Sequence, residues 1–338
     1  MRFRLSLSTV FLMLAATSAQ AKVVLNVNEW PGYVSMNKEE FYKYAKSKGI
    51  EVELNVVKPD IATEEIMFNN LRSTDKAVDI ATPTESFLPS RQGKILKLLA
   101  PVDPSKVDGY NNVPAQLRNS EFHISGGKHY GIVFMAGYYG LYYNSNVVKS
   151  APTSWEILWS PEAAKKYSVS KDTYFVNAHI AQWTIDSKNI EHAYDETKMD
   201  DAKLRSKLKD LAKNAAHLWE GIGNTPEQLK DLHYTASWGF ELPKEWKLAR
   251  PAPGSPTWID CLSITEKAAK DPKKLEAFYA LASFLVRPET QEVYAQKLRA
   301  IPLTGKTDAS AFDKKFYWHP LSDRAGNFMM NAWEAAKK

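Results

Sequence analysis

A chain of 338 residues with 44 Lys and Arg against 39 Asp and Glu, 44% hydrophobic and with a single cysteine, is too long and too poor in cysteine to be a disulfide-stapled module. Its 10 Trp, 16 Tyr and 14 Phe supply far more apolar surface than a disordered composition carries, so the chain is globular, with length for two ordinary domains. The formal charge of +5 comes from acids and bases interleaved along the whole chain, which leaves no footprint for nucleic acid or a membrane surface.

Residues 1–21 read as a secretory signal. Arg2 and Arg4 open it, residues 5–16 are apolar, and Ala19-Gln20-Ala21 is a small-x-small cleavage site, so the mature chain is expected to begin at Lys22. No cysteine stands at the cleavage point to carry a lipid, and no later apolar run approaches the roughly 20 residues that span a bilayer. The expectation is an exported protein, most simply in a bacterial periplasm. A β-rich run, residues 23–27, opens the mature chain. Residues 38–48 then predict a helix with Phe41, Tyr44, Ala45 and the stem of Lys48 on one face, closed by Gly49. Residues 51–57 alternate as a strand, 63–71 read as a helix and 78–82 as another strand. This alternation predicts a parallel sheet wrapped by helices, in which ligands sit beyond the carboxyl ends of the strands. The loops that matter are therefore Asn28-Glu29-Trp30-Pro31-Gly32-Tyr33 and Pro83-Thr84-Glu85-Ser86.

The middle of the chain repeats the alternation, from a strand-like run at 130–144 to a helical run at 204–218. The best-marked helix has Asp271 as N-cap, Pro272 in its first turn, Leu275, Phe278, Ala282 and Leu285 on one face, and Pro288 at its end. With no short-period repeat and no low-complexity linker, two lobes joined by passing strands are expected. Cys261 lies in the apolar run 258–264 and reads as a small buried hydrophobe, since a catalytic thiol needs an activating partner in a partly exposed site. Gly305-Lys306-Thr307 ends like a P-loop, but Ala300 stands where the leading glycine belongs. No G-x-S-x-G, H-E-x-x-H, C-x-x-C or G-x-G-x-x-G occurs. The adjacent acids Glu39-Glu40 and Glu64-Glu65 point different ways along helices and read as solvated faces.

Four stretches, taken in order over essentially the whole mature chain, carry a resemblance. They are Asn28-Glu29-Trp30-Pro31-Gly32-Tyr33-Val34, the run from Tyr130-Gly131-Ile132 through Gly137 to Tyr143-Asn144, Pro152-Thr153-Ser154-Trp155 with Leu158-Trp159, and Trp258-Ile259-Asp260 followed by the 271–288 helix. Together they resemble the spermidine/putrescine-binding proteins of ABC transporters. The resemblance implies the two-lobed α/β fold of type II periplasmic binding proteins, each lobe a mixed sheet flanked by helices, with the ligand cleft between them. Lobe 1 would hold residues 22–136 plus 257–305, and lobe 2 residues 137–256 plus 306–338. It implies a monomer, without catalytic group, cofactor or metal, that captures a polyamine of the spermidine, norspermidine or putrescine type for an inner-membrane ABC permease. Two alternatives stand beside it: a polyamine sensor that docks on a membrane signalling receptor, and, from another class, a secreted amine-processing enzyme.

Carried over by position, the family's aromatic box falls on Trp30, Trp238 and Trp258, its acids on Asp172 and Asp260, and two further contacts on Thr84 and Ser86. These residue types suit a polyamine, because indole faces attract ammonium groups at roughly 0.5–2 kcal/mol per contact and carboxylates accept charge-assisted hydrogen bonds. Trp183 and Trp333 read as core. The chain also departs from the pattern. Phe175 stands where the family carries a second acid, and Pro31 where it carries a hydroxyl residue, so one ammonium anchor is missing. Glu85 or Glu241 is placed to restore that charge, and Trp318-His319 resembles the family's Trp-Gln pair, which adds His319 to the ligand-binding candidates. Tyr138, Tyr139, Tyr142 and Tyr143 would line a crossover strand, with the pair that faces the ligand left open.

Overall fold

The computed structural model describes residues 22–240, 242–305 and 312–338. The expected signal segment, Glu241 and the Lys306-Thr307 end of the P-loop look-alike lie outside the described residues. Strand β1 (Val23–Asn28) buries Val23, Leu25 and Val27 and leaves Val24 exposed, the alternation of a strand covered on one side. Helix α1 (Lys38–Ser47) buries Phe41 and Ala45, and Gly49 follows it at φ +79°, a conformation that costs a glycine nothing. Strand β2 (Val52–Val56) is followed by helix α2 (Glu64–Arg72), whose N-cap Thr63 accepts from the Ile66 N–H through its side chain. Strand β3 (Ile80–Ala81) completes the predicted unit, and β2 and β3 both pair with β1 in parallel.

Two short helices, α3 (Ser90–Gly93) and α4 (Ala115–Arg118), and the small hairpin of β4 (Ile124–Ser125) and β5 (Lys128–His129) follow. The run 130–144, expected as one strand, is two: β6 (Ile132–Tyr138) and β7 (Gly140–Asn144), which belong to different sheets. The chain changes sheet at Tyr139, and that change resets the side-chain alternation. Tyr139 and Tyr142 are consequently buried while Tyr138 and Tyr143 are half-buried.

After β8 (Tyr167–Ser170) and α5 (Tyr174–Ile185), helix α6 (Asp201–Asn214) ends four residues before the predicted limit. Leu218 is instead drawn into β9 (His217–Trp219), where it pairs with Val169 of β8. Helix α7 (Pro226–Leu229), β10 (Tyr234–Ser237) and β11 (Trp246–Leu248) complete the second sheet, ordered β11-β7-β10-β8-β9. The chain then returns to the first sheet as β12 (Thr257–Ile264), giving the order β2-β1-β3-β12-β6.

Helix α8 (Pro272–Leu285) has the predicted N-cap, Asp271, whose side chain accepts from the Lys273 N–H, and it packs on α1, β1, β6 and β12. Pro288 does not simply end it but opens a further helix, α9 (Pro288–Leu298). The last helix, α10 (Asp323–Ala336), packs against α5 and α6 beside the second sheet, with Trp333 fully buried. Trp183 and Cys261 are fully buried as well, and burial pushes the Cys261 thiol far above its ordinary range. Among the described residues, no helix is long and apolar enough to cross a membrane.

Candidate functional site

The parallel strands aim their carboxyl ends at the segments singled out above. Trp30 lies two residues past β1, with its backbone N–H donating to Thr82 Oγ1 at 3.0 Å. Thr84, Glu85 and Ser86 lie past β3, and Glu85–Phe87 forms a single 3₁₀ turn in which Glu85 and Ser86 are buried. Asp172 follows β8 and Trp238 follows β10, and these two strands are parallel neighbours. Trp258 and Asp260 reach the same region from β12, which runs antiparallel to β3 and bridges Asp260 to Thr84.

Asp260 is 2% exposed. Thr84 Oγ1 donates to its Oδ1 at 2.7 Å, and the Tyr33 hydroxyl is its second partner. Burial pushes this carboxyl up to about 7; the two hydroxyls oppose the rise, and the Glu85 carboxylate adds to it. Two neutral donors do not balance a charge, so an acid this deep lacks the cation that usually accompanies one. Glu85 is equally buried, but its carboxylate is engaged elsewhere, with Oε2 3.0 Å from His123 Nδ1. The indole of Trp258 lies 6.2 Å from the Tyr33 ring and 6.3 Å from Phe240. It packs over Gly137 so closely that a Cβ there would stand 2.3 Å from its Cζ2.

On the side of the second sheet the rings form a continuous seam. Trp238 meets Tyr139 edge-on at 4.7 Å and Trp318 at 5.4 Å, and Trp318 meets Phe175 at 4.8 Å. From Phe175 the seam runs through His179 and Tyr194 to His319, whose ring lies 4.6 Å from Tyr194 and 5.2 Å from Phe122. Burial, with Lys314 adding to it, lowers the His319 pKa, so this ring is neutral at pH 7. Asp172 is exposed on its loop, where its carboxylate accepts from the Gly221 N–H at 3.0 Å.

The structure thus gathers Thr84, Asp260 and Trp258 into one cluster and Trp238 with Trp318 into another, with His319 at the end of the seam. Asp172 stays at the solvent-facing loop and Glu85 turns to His123. Tyr33, Phe240 and Tyr139 join these clusters without having been assigned a ligand contact from sequence, as do His179, Tyr194 and Phe122 along the seam. For the first three the signals lay three residues past Trp30, two past Trp238, and at the sheet change. The indole N–H groups of Trp30, Trp258 and Trp318 are buried without a hydrogen-bond partner. Open depressions lie elsewhere: one of about 320 Å³ between Ala115–Ser120 and Lys314 with Tyr317, another of about 400 Å³ beside Leu242 and the end of α9. The rings of the site pack directly on one another, and Asp260 and Trp258 are buried among them.

A family of bacterial extracellular solute-binding proteins has a profile that matches residues 91–323. The chain belongs to that family. Over 151 residues it is 28% identical to the putrescine-binding periplasmic protein SpuD of Pseudomonas aeruginosa (strain UCBPP-PA14), a match that takes in 42% of this chain and only 38% of that relative. Among solved structures, the spermidine/putrescine ABC transporter substrate-binding protein PotD of Streptococcus pneumoniae superposes with a TM-score of 0.68 at 19% identity, covering 94% of this chain and 100% of that one. The Tp0655 lipoprotein of Treponema pallidum gives a TM-score of 0.68 at 16% identity, with 94% and 99% covered. The fold is therefore that of the two-lobed, type II solute-binding proteins, as the resemblance implied.

Proposed function

We propose that this solute-binding protein captures a polyamine of the putrescine, spermidine or norspermidine type in the periplasm, after export on residues 1–21, and delivers it to an inner-membrane ABC permease. Binding without turnover is the activity assigned. The observation that carries the reading is Asp260: a buried carboxylate with hydroxyl partners only, beside the indole of Trp258, is built to receive a cation that has an apolar stem. An arriving ammonium supplies the missing counter-charge. The methylene chain would lie against Trp258, Trp30 and Trp238, with Thr84 and Ser86 beside the first ammonium, His319 at the seam's far end, and Asp172 as the second anchor. The putrescine-binding description of the Pseudomonas relative supports the same class of solute. Each sheet would form the core of one lobe, residues 22–136 plus 257–305 and residues 137–256 plus 306–338, with the solute held between them.

The test is a thermal-shift panel of putrescine, spermidine, norspermidine and spermine, with amino acids and sugars as controls, followed by calorimetry on Asp260→Asn. A polyamine at 100 times its Kd is expected to add about 2.7 kcal/mol of stability, and the controls nothing. The replacement amide keeps an acceptor for Thr84 and removes a buried charge, so the variant should fold as well as the parent. Its affinity should fall by roughly 10–150-fold, the worth of one charge-assisted hydrogen bond of about 1.5–3 kcal/mol. A flat response to every polyamine rejects the solute class, and undiminished binding by the variant rejects Asp260 as the anchor.

A further inference from the structure

Beside the proposed solute anchor, and independent of which solute occupies the cleft, three side chains of metal-ligand type meet in the interior. Glu85 opens the turn after β3, His123 precedes β4, and Cys261 lies on β12 at the irregularity that follows Asp260. All three are buried, at 2%, 0% and 0% exposure, and one ligand atom from each lies within 4.8 Å of the other two. Among the described residues this is the group of His, Cys, Asp and Glu gathered tightly enough to hold an ion. We propose that Glu85, His123 and Cys261 form a binding site for a divalent zinc-type ion.

The hydrogen bonding of His123 carries the argument. Its Nε2 lies 3.2 Å from the backbone carbonyl of Arg118, which only accepts, so Nε2 bears a hydrogen and is spent in orienting the ring. That is the arrangement by which a ligating histidine is usually held, with its other nitrogen turned to the metal. Here the other nitrogen, Nδ1, faces Glu85 Oε2 at 3.0 Å, and one proton occupies that gap. Glu85 Oε1 is buried with no hydrogen-bond partner, a costly state that bidentate coordination of the ion would relieve. Gly131 leaves the room that Cys261 uses, since a Cβ there would stand 3.0 Å from Sγ. One imidazole nitrogen, one thiolate and one carboxylate form a mixed set that suits Zn²⁺ better than the hard cations Ca²⁺ or Mg²⁺. Binding would release two protons, one from the thiol and one from between Nδ1 and Oε2. The three ligands stand 38 and 138 residues apart along the chain, which is why no short motif announces them.

The experiment takes untagged chain from Lys22 onward, refolds it with Zn²⁺ or Co²⁺, removes free metal and measures metal content together with the absorption spectrum. The expected result is one ion per chain and, for cobalt, the near-ultraviolet thiolate-to-metal band with visible bands of tetrahedral intensity. Cys261→Ser should lose the thiolate band and His123→Gln should lose the ion. Because a buried variant can fail to fold, proton release on zinc binding by the parent provides the second measurement, with two per ion expected. A substoichiometric metal content after refolding in excess zinc overturns the proposal, as does a cobalt spectrum that is unchanged in a folded Cys261→Ser protein. Polyamine binding measured on the same samples separates this outcome from the fate of the solute reading.

Discussion

His179 sits on α5 with neither ring nitrogen hydrogen-bonded, between the rings of Phe175 and Tyr194 and near His319. Burial, with His319 adding to it, lowers its pKa from 6.5 to about 3, so the folded protein keeps it neutral. The unfolded chain takes up a proton below pH 6.5 that the folded chain refuses. Its contribution is therefore fully present above pH 6.5 and is lost as the pH falls toward 3, by up to about 1.4 kcal/mol per unit. His179→Phe is predicted to be at least as stable as the parent at pH 7, because it removes two unpartnered buried nitrogens, and to lose less stability between pH 6.5 and 5. Urea midpoints at the two pH values measure this, and equal acid sensitivity in both proteins would refute it. At this scale the sequence was informative where residue type and chain position coincide. Trp30, Thr84, Trp238 and Asp260 all stand past strand ends or on the strand that meets them. It was uninformative about direction: nothing in Thr84-Glu85-Ser86 announces that the middle carboxylate turns to His123, a residue 38 positions away whose nearness is tertiary.

The elements that sequence reading located best are those with local signals. The opening strand-helix alternation, the Asp271 cap and the Gly49 stop are all fixed by residues within one turn of the feature they cause. The failures share the opposite property. The 130–144 run has one unbroken strand-like pattern, yet partner strands in different sheets divide it at Tyr139, and α6 ends early because β8 claims residues 217–219. The pairing of β6 with β12 also explains why Gly137 has no side chain, since it stands opposite Trp258 in the register and the indole fills the space. Gly137→Ala should push that indole aside. Overpacking of this kind costs about 1–3 kcal/mol, and it should be accompanied by a loss of solute affinity larger than that of a control substitution elsewhere on β6. A lowered melting temperature with unaltered affinity would show that Trp258 is core alone and no wall of the site.

At the scale of the whole molecule, the buried polar groups of the site bear on how a solute enters. With Asp260 and Trp258 exposed by only 2% and 3%, and three indole N–H groups unpartnered, the packed arrangement places desolvated groups together without satisfying them. The chain connections allow an alternative. The sheets are linked through Tyr139 between β6 and β7 and by residues 249–256 between β11 and β12, and the end of the chain leaves the first sheet after α9 to pack α10 on α5 and α6 beside the second. Rotation about such passing segments separates two lobes while each sheet stays intact. Without solute the separated form should be populated, because water then satisfies Asp260 and the indoles. A cation touching both sides shifts the population toward the packed form by its difference in affinity for the two. The prediction is a fall in the radius of gyration in small-angle scattering when a polyamine is added near the parent's Kd, and a much smaller fall in Asp260→Asn at the same concentration. If calorimetry shows saturation of the parent while its scattering curve stays unchanged, the site is loaded through side-chain movement in a rigid molecule, and lobe closure takes no part in capture.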